Sequence, residues 1–321
     1  MGMKLKVFLL ISAVAAAGLA NSAEAADLVT APECGIAGIV EGGFGYQGGN
    51  LTTNSGTDLS MSSNFTEFGE TALGYGCGNW MVQLDGALYH SDFSNNIRGG
   101  VYNGKDNRGH IGGALFLRDS SLGRVGLAAS EVLNNFNFSA GSSSGDIGGS
   151  LTRVGGFGDY YASDAITLGA GAFYVGGTPI NGSGSGWSES GFEGNIHAKL
   201  YATDNISLAV QGDILRANFT SSGSTGASWN GVAGSVEAEY LFPDTALSMF
   251  LGGRVASRTY ETSGSSLNFN DQQGYVGLKL AFGGPVSSLR ARDRAGTYDN
   301  TSVFDEKLPG LFYEITNAVT H

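Results

Sequence analysis

Three aspartates, Asp164, Asp204 and Asp244, recur at a spacing of forty residues, each in a short polar turn followed by an alternating apolar segment. The turns read Tyr161-Ala162-Ser163-Asp164, Tyr201-Ala202-Thr203-Asp204 and Leu241-Phe242-Pro243-Asp244; Ile166-Thr167-Leu168, Ile206-Ser207-Leu208 and Leu247-Ser248-Met249 come after them. Between copies lies a longer connection crowded with Gly, Ser, Asn and Thr, such as 177–190 or 220–228. Short and long connections therefore alternate. A propeller blade of similar length packs four short strands. This period holds only two strands of about ten or more residues, the hairpin unit of a closed up-and-down barrel.

Period-two alternation marks twelve segments: 36–47, 64–76, 80–91, 108–118, 122–132, 150–161, 165–176, 190–202, 205–217, 229–241, 245–257 and 271–282. One face of each is apolar and nearly free of charge: Val40, Gly42, Phe44 and Tyr46; Trp80, Val82, Leu84 and Leu88; Ile206, Leu208, Val210 and Ile214; Val232, Val236, Ala238 and Tyr240; Val276, Leu278, Leu280 and Phe282. Aromatics on these faces collect at two heights. Tyr75, Trp80, Tyr160, Tyr240 and Phe282 mark one rim, and Tyr46, Phe65, Tyr174 and Phe192 the other. A soluble sandwich has no reason to sort aromatics by height, whereas a ring at the border of hydrocarbon and headgroups is stable there. A strand of about eleven residues, tilted by about 40°, covers a band of roughly 25 Å. Lipid offers no partner to a backbone amide, so the sheet must close on itself. The expected fold is all-β, a twelve-stranded antiparallel up-and-down transmembrane β-barrel with short periplasmic turns and long outer loops, occupying 36–282.

The chain opens with Lys4 and Lys6, runs through the apolar stretch Val7 to Leu19 and reaches Ala23-Glu24-Ala25, a small-x-small site. This pattern predicts a secretory signal peptide over 1–25, a periplasmic segment over 26–35 and, after the barrel, a periplasmic tail over 283–321. Glycine supplies 53 of 321 residues without a Gly-X-Y period, and aromatics are too frequent for a disordered chain. The formal charge of −12 repels phosphate backbones, so nucleic acid is not an expected partner.

The final strand, Tyr275-Val276-Gly277-Leu278-Lys279-Leu280-Ala281-Phe282, resembles the terminal strand that the barrel-assembly machinery reads in bacterial outer-membrane proteins. Tyr275, Gly277, Leu280 and Phe282 are the positions that would carry the signal, although about forty residues follow Phe282. The start Ala26-Asp27-Leu28 is similar to outer-membrane proteins of alphaproteobacteria. In architecture the whole barrel resembles the small twelve-stranded porins that pass acidic oligosaccharides. The resemblance implies outer-membrane lipids and the assembly machinery as partners.

Cys34 precedes the first strand and Cys77 follows the second. Antiparallel pairing brings both to one rim, and the periplasm is oxidising, so a Cys34–Cys77 disulfide is expected. Two cysteines without a histidine pattern lack the ligand count for a metal. No cofactor is expected either.

The inward faces carry Glu41, Glu70, Asp85, Asp159, Glu193, Asp213, Glu237 and Glu239 against Arg118, Arg124, Arg153, Lys199, Arg254, Arg258 and Lys279, with His110 and His197. The signs nearly balance. Such charges must be paired or wet, so the interior is either a salt-bridged filling or a narrow aqueous path. The expectation is a weakly selective, porin-like channel for passive diffusion of small hydrophilic solutes. The alternative is a non-conducting structural or surface-exposed barrel of adhesin or receptor type. An enzyme needs a nucleophile, a base and an orienting group in reach. His90-Ser91-Asp92 resembles a triad only as letters, because neighbouring strand residues point to opposite sides. The segments 48–63, 93–107 and 134–149 read as wet surface loops. Arg290, Arg292 and Arg294 read as a solvated tail, followed by the apolar cluster Leu308 to Ile315. That tail can plug the lumen, contact another protein or stay disordered until bound; disorder is the expectation. No feature of the sequence points to an oligomeric interface.

Overall fold

Consecutive strand residues point to opposite faces, and along this chain the two faces differ in chemistry. On one strand Met81 and Gln83 are each 1% exposed while Val82 and Leu84 between and beside them are 44% and 66% exposed. The computed structural model describes residues 34–53, 58–97, 100–140, 143–181, 187–221, 224–262, 265–284 and 287–299. The expected signal peptide, residues 26–33 and the apolar cluster 308–315 lie outside these residues.

Twelve strands form a single closed barrel: β1 (Cys34–Thr53), β2 (Asp58–Cys77), β3 (Trp80–Ile97), β4 (Gly100–Asp119), β5 (Gly123–Ala140), β6 (Ser143–Ser163), β7 (Ile166–Asn181), β8 (Trp187–Thr203), β9 (Ile206–Ser221), β10 (Ser224–Leu241), β11 (Leu247–Thr262) and β12 (Ser265–Phe282). Each pairs antiparallel with its chain neighbours, and β1 pairs with β12, placing Val40 opposite Leu280 and Phe44 opposite Val276. No edge remains to expose unpaired backbone groups. The outward faces are those the alternation predicts. Leu127, Ile196, Ile214 and Leu251 stand exposed on an apolar belt, with Tyr75 against Trp80 at one rim and Tyr46 against Phe65 at the other.

The strands are longer than the alternation marks. β6 has 21 residues and even the shortest, such as β7, have 16. The segments expected as loops continue the ladders instead: Leu51 pairs with Leu59, Asn96 with Val101 and Ala140 with Ser143. These stretches are crowded with Gly, Ser, Asn and Thr, so pairing persists where the regular apolar alternation that would reveal it stops. The opposite ends of the strands are joined tightly, as at Gly78-Asn79, where Gly78 takes φ +59 as a two-residue hairpin requires. Cys34 lies opposite Cys77 in the β1–β2 register, and the two form the expected disulfide with Cα atoms 4.0 Å apart.

The interior is packed with large rings above inward glycines. A Cβ on Gly252 would lie 2.3 Å from the Tyr275 ring, and one on Gly277 would lie 2.4 Å from the Phe250 ring. Phe68, Tyr89, Phe250 and Tyr275 form one internal cluster; Met81, Phe116, Phe157 and Phe173 form another, which Tyr298 joins from beyond the barrel. The start of the tail departs from the expected disorder. After β12 a helix, α1 (Leu289–Ala295), and the following residues to Asp299 fold into the short-turn mouth of the barrel. The side chains of the wall supply the ordering contacts.

Candidate functional site: the lumen and its C-terminal strap

The alternation sends ionisable groups from most strands into the lumen, and most find one another. Glu41 of β1 pairs with Lys279 of β12 at 3.0 Å, and Asp85 of β3 with His110 of β4 at 2.8 Å. Asp159 of β6 receives Arg124 at 2.6 Å and His197 at 2.9 Å. Deeper in the barrel, Arg153 meets Glu193 at 3.0 Å and lies over the Phe173 ring at 3.3 Å. Tyr89 donates its hydroxyl to Glu70 at 3.0 Å, and Tyr275 donates to Glu237 at 3.1 Å. Gln211 donates to Asp213 at 3.1 Å, and Arg254 lies 3.8 Å from Asp271. Isolated charges on such a wall would be costly, and pairing removes most of that cost.

These side chains lie on the inner face of the sheet. Arg108, Gln47, Asp271 and Gln273 are further buried inward groups. All four lie within the segments marked by the alternation, at the inward parity, so the signal was present in the sequence. Of the terminal-strand positions, Tyr275 and Gly277 face the interior, and Leu280 and Phe282 share the outward parity of exposed Leu278. His90 faces outward at the far rim, bonded to Asn107 at 2.8 Å, while Ser91 is buried on the other face. That triad of letters is split across the sheet.

Near the short-turn mouth the wall meets the C-terminal segment. Ser288 caps α1 by accepting from the Ala291 amide at 3.1 Å, and the Leu289 amide donates to the Asp204 carbonyl at 2.8 Å. The Leu289 side chain is fully buried against Tyr201 and Leu241. Arg292 donates to Glu239 at 2.6 Å and to Ser248 at 3.1 Å. Lys199 reaches Asp293 at 2.5 Å, and Tyr201 donates to the same carboxylate at 3.3 Å. Arg294 lies over the Tyr161 ring at 4.4 Å and donates to the Ser163 carbonyl at 2.5 Å. Arg118 donates to the Ala295 carbonyl, and Arg124 to the Thr297 carbonyl at 3.0 Å. The segment ends on Tyr298, whose ring stacks on Phe157 with centroids 3.5 Å apart and planes 6° from parallel. Gln83 grips its backbone at both ends, accepting from the amide at 2.7 Å and donating to the carbonyl at 2.6 Å.

Residues 288–298 therefore cross the mouth as a strap, from β8, β10 and β11 to β3, β4, β5 and β6. Arg292 is not the solvated cation expected from the sequence. Burial works against its charge, but Asp293 and Glu239 outweigh that and hold the guanidinium above its ordinary value. Burial likewise opposes the Asp293 carboxylate, and Lys199 and Arg292 hold it below the usual range. Burial raises the Tyr298 hydroxyl. Inside the strap lies a cavity of about 230 Å³, lined by Glu41, Glu70, Asp85, His110, His197, Lys199, Glu237 and Lys279 together with Arg292, Asp293 and Tyr298. Among the described residues, no group of three or more His, Cys, Asp or Glu side chains is arranged to hold a metal ion.

No protein-family model matches the sequence, and no curated protein matches it. The fold is similar to that of the translocator domain of the autotransporter NalP from Neisseria meningitidis, with a TM-score of 0.50 and 14% identity over 87% of this chain and 97% of that one. It is also similar to an outer-membrane channel from Pseudomonas putida F1, with a TM-score of 0.51 and 10% identity over 81% of this chain and 100% of that one. Both likenesses are of fold: a closed barrel of the outer-membrane type.

Proposed function

We propose that this chain is an outer-membrane channel, a weakly selective porin-like barrel that passes small hydrophilic solutes by diffusion, without chemistry. The observation that carries the reading is the polar cavity within the lumen, lined by acidic and basic groups from opposite walls. A barrel serving only as a wall has no need of such a space, and ionised groups of both signs make a path that water and small polar solutes tolerate. Balance between the signs is the reason for weak selectivity. The apolar outer belt and its two aromatic girdles support residence in outer-membrane lipid. The fold shared with the Pseudomonas putida channel is consistent with this role. Export by the 1–25 signal, delivery through the assembly machinery and periplasmic placement of both mature termini complete the proposal.

One observation favours a non-conducting barrel: the strap lies across one mouth. Single-channel recording from the refolded mature protein in a planar bilayer, under a salt gradient, separates the readings. The expected record has small discrete steps and a reversal potential near zero. Silence from protein that is demonstrably barrel-folded, with the strap seated and with it loosened, would overturn the channel and leave a structural or surface-display role.

A further inference from the structure

Most of the wall groups that hold the strap also hold one another. Without Arg292, Glu239 keeps Lys199 at 3.5 Å, Lys279 at 3.9 Å and the Ser248 hydroxyl at 2.5 Å. Without Asp293, Lys199 keeps Glu239 at 3.5 Å. Without Thr297, Arg124 keeps Asp159 at 2.6 Å, and without Tyr298, Gln83 keeps Asp85 at 3.3 Å and Phe157 keeps Phe116 at 5.8 Å. Each of these wall groups retains a partner when the strap leaves. Departure therefore strands none of these charges in a low-dielectric interior, which is the usual large penalty for opening a buried ionic contact.

The strap is also fastened by interactions that water can replace. Apart from Leu289, the Tyr298 ring and the Arg294 guanidinium over the Tyr161 ring, its ties are ion pairs and hydrogen bonds, whose net contribution is small because solvent competes for the same groups. A segment built as permanent core would instead be dominated by apolar burial, which water cannot substitute. The two fastenings lie on opposite sides of the mouth. Leu289, Arg292 and Asp293 hold the side near β8 and β10, and Tyr298 holds the side near β3 and β6. Where β12 ends, Gly283 turns the backbone with φ +73, and a Cβ there would lie 1.8 Å from the Ile36 carbonyl oxygen, so this turn is restricted to glycine.

We propose that residues 288–298 are a gate: an autoinhibitory strap that closes the short-turn mouth of the barrel and opens it by leaving Glu239, Lys199, Gln83 and Phe157. The proposal rests on the channel reading above. The strap shuts a wall whose Glu239, Lys199, Arg124 and Phe157 keep their partners when it leaves, so opening asks little of the strands.

The test compares single-channel currents of the full chain with two full-length variants, Arg292→Ala/Asp293→Ala on one side of the mouth and Tyr298→Ala on the other. Neither alters the wall, and the heat-dependent shift in gel mobility verifies folding of each. The gate predicts several-fold longer open times, or a larger step, in both variants. Both variants conducting with the steps and open times of the full chain would overturn the gate while leaving the channel standing. No current from any of the three folded proteins would overturn the channel reading, and the gate with it.

Discussion

Gln83 spends both ends of its amide on one residue, holding the backbone of Tyr298 much as a neighbouring strand would. Replacing it with leucine leaves a buried donor and a buried acceptor unpaired, a loss of about 1–3 kcal/mol for each group. Gln83→Leu is expected to speed amide exchange in residues 296–299 by tenfold or more, as read by hydrogen-exchange mass spectrometry of the full chain in detergent. Unchanged exchange would mean that stacking on Phe157 alone seats the strap. At this scale the sequence was legible in part. The aspartates marked the turns, yet in two of the three repeats the neighbouring hydroxyl makes the bond. Ser163 accepts from Ala165 and Thr203 from Asn205, each at 3.2 Å. The Asp244 turn uses Thr245 instead, which accepts from Leu247 at 3.2 Å, while Asp244 takes the left-handed φ of 58. Spacing betrays a turn; it does not say which of its polar atoms closes it.

The strands were legible where they touch lipid and illegible beyond it. Ala128 is 3% and Leu127 68% exposed, an alternation imposed by hydrocarbon on one side and a packed lumen on the other. Placing a cation on that outer face forfeits the match. Leu127→Arg, near the middle of the belt, is expected to cost about 2–4 kcal/mol of folding stability in lipid vesicles, measured by reversible denaturant unfolding; a change below a few tenths would show that this face does not meet hydrocarbon. The helix α1 was hidden for a different reason. It has seven residues, its cap Ser288 sits in an otherwise featureless polar stretch, and the partners of Arg292 come from β10 and β11, more than forty residues upstream in each case. Three arginines at alternate positions look solvated until the acceptors around them are known.

For the molecule as a whole, the strap couples the state of the mouth to acidity. Asp293 is held below the ordinary carboxylate range when docked, facing Lys199, Tyr201, Arg292 and Glu239, and returns to about 3.8 when free. A depressed value means the docked form binds fewer protons. Its contribution to closure is then present above that free value and lost as pH falls through the docked one. Open probability is expected to rise on acidification below about pH 4, and Asp293→Asn is expected to flatten that rise in the same recordings.

The strap's anchors come from β3, β4, β5, β6, β8, β10 and β11, and as a set they come together only when the sheet has joined end to end. The strap, made after all twelve strands, is therefore also the one that finds its place after them. β12 delivers it to the mouth it covers, so it swings in from the side on which the chain already lies, and nothing has to be threaded through the finished ring.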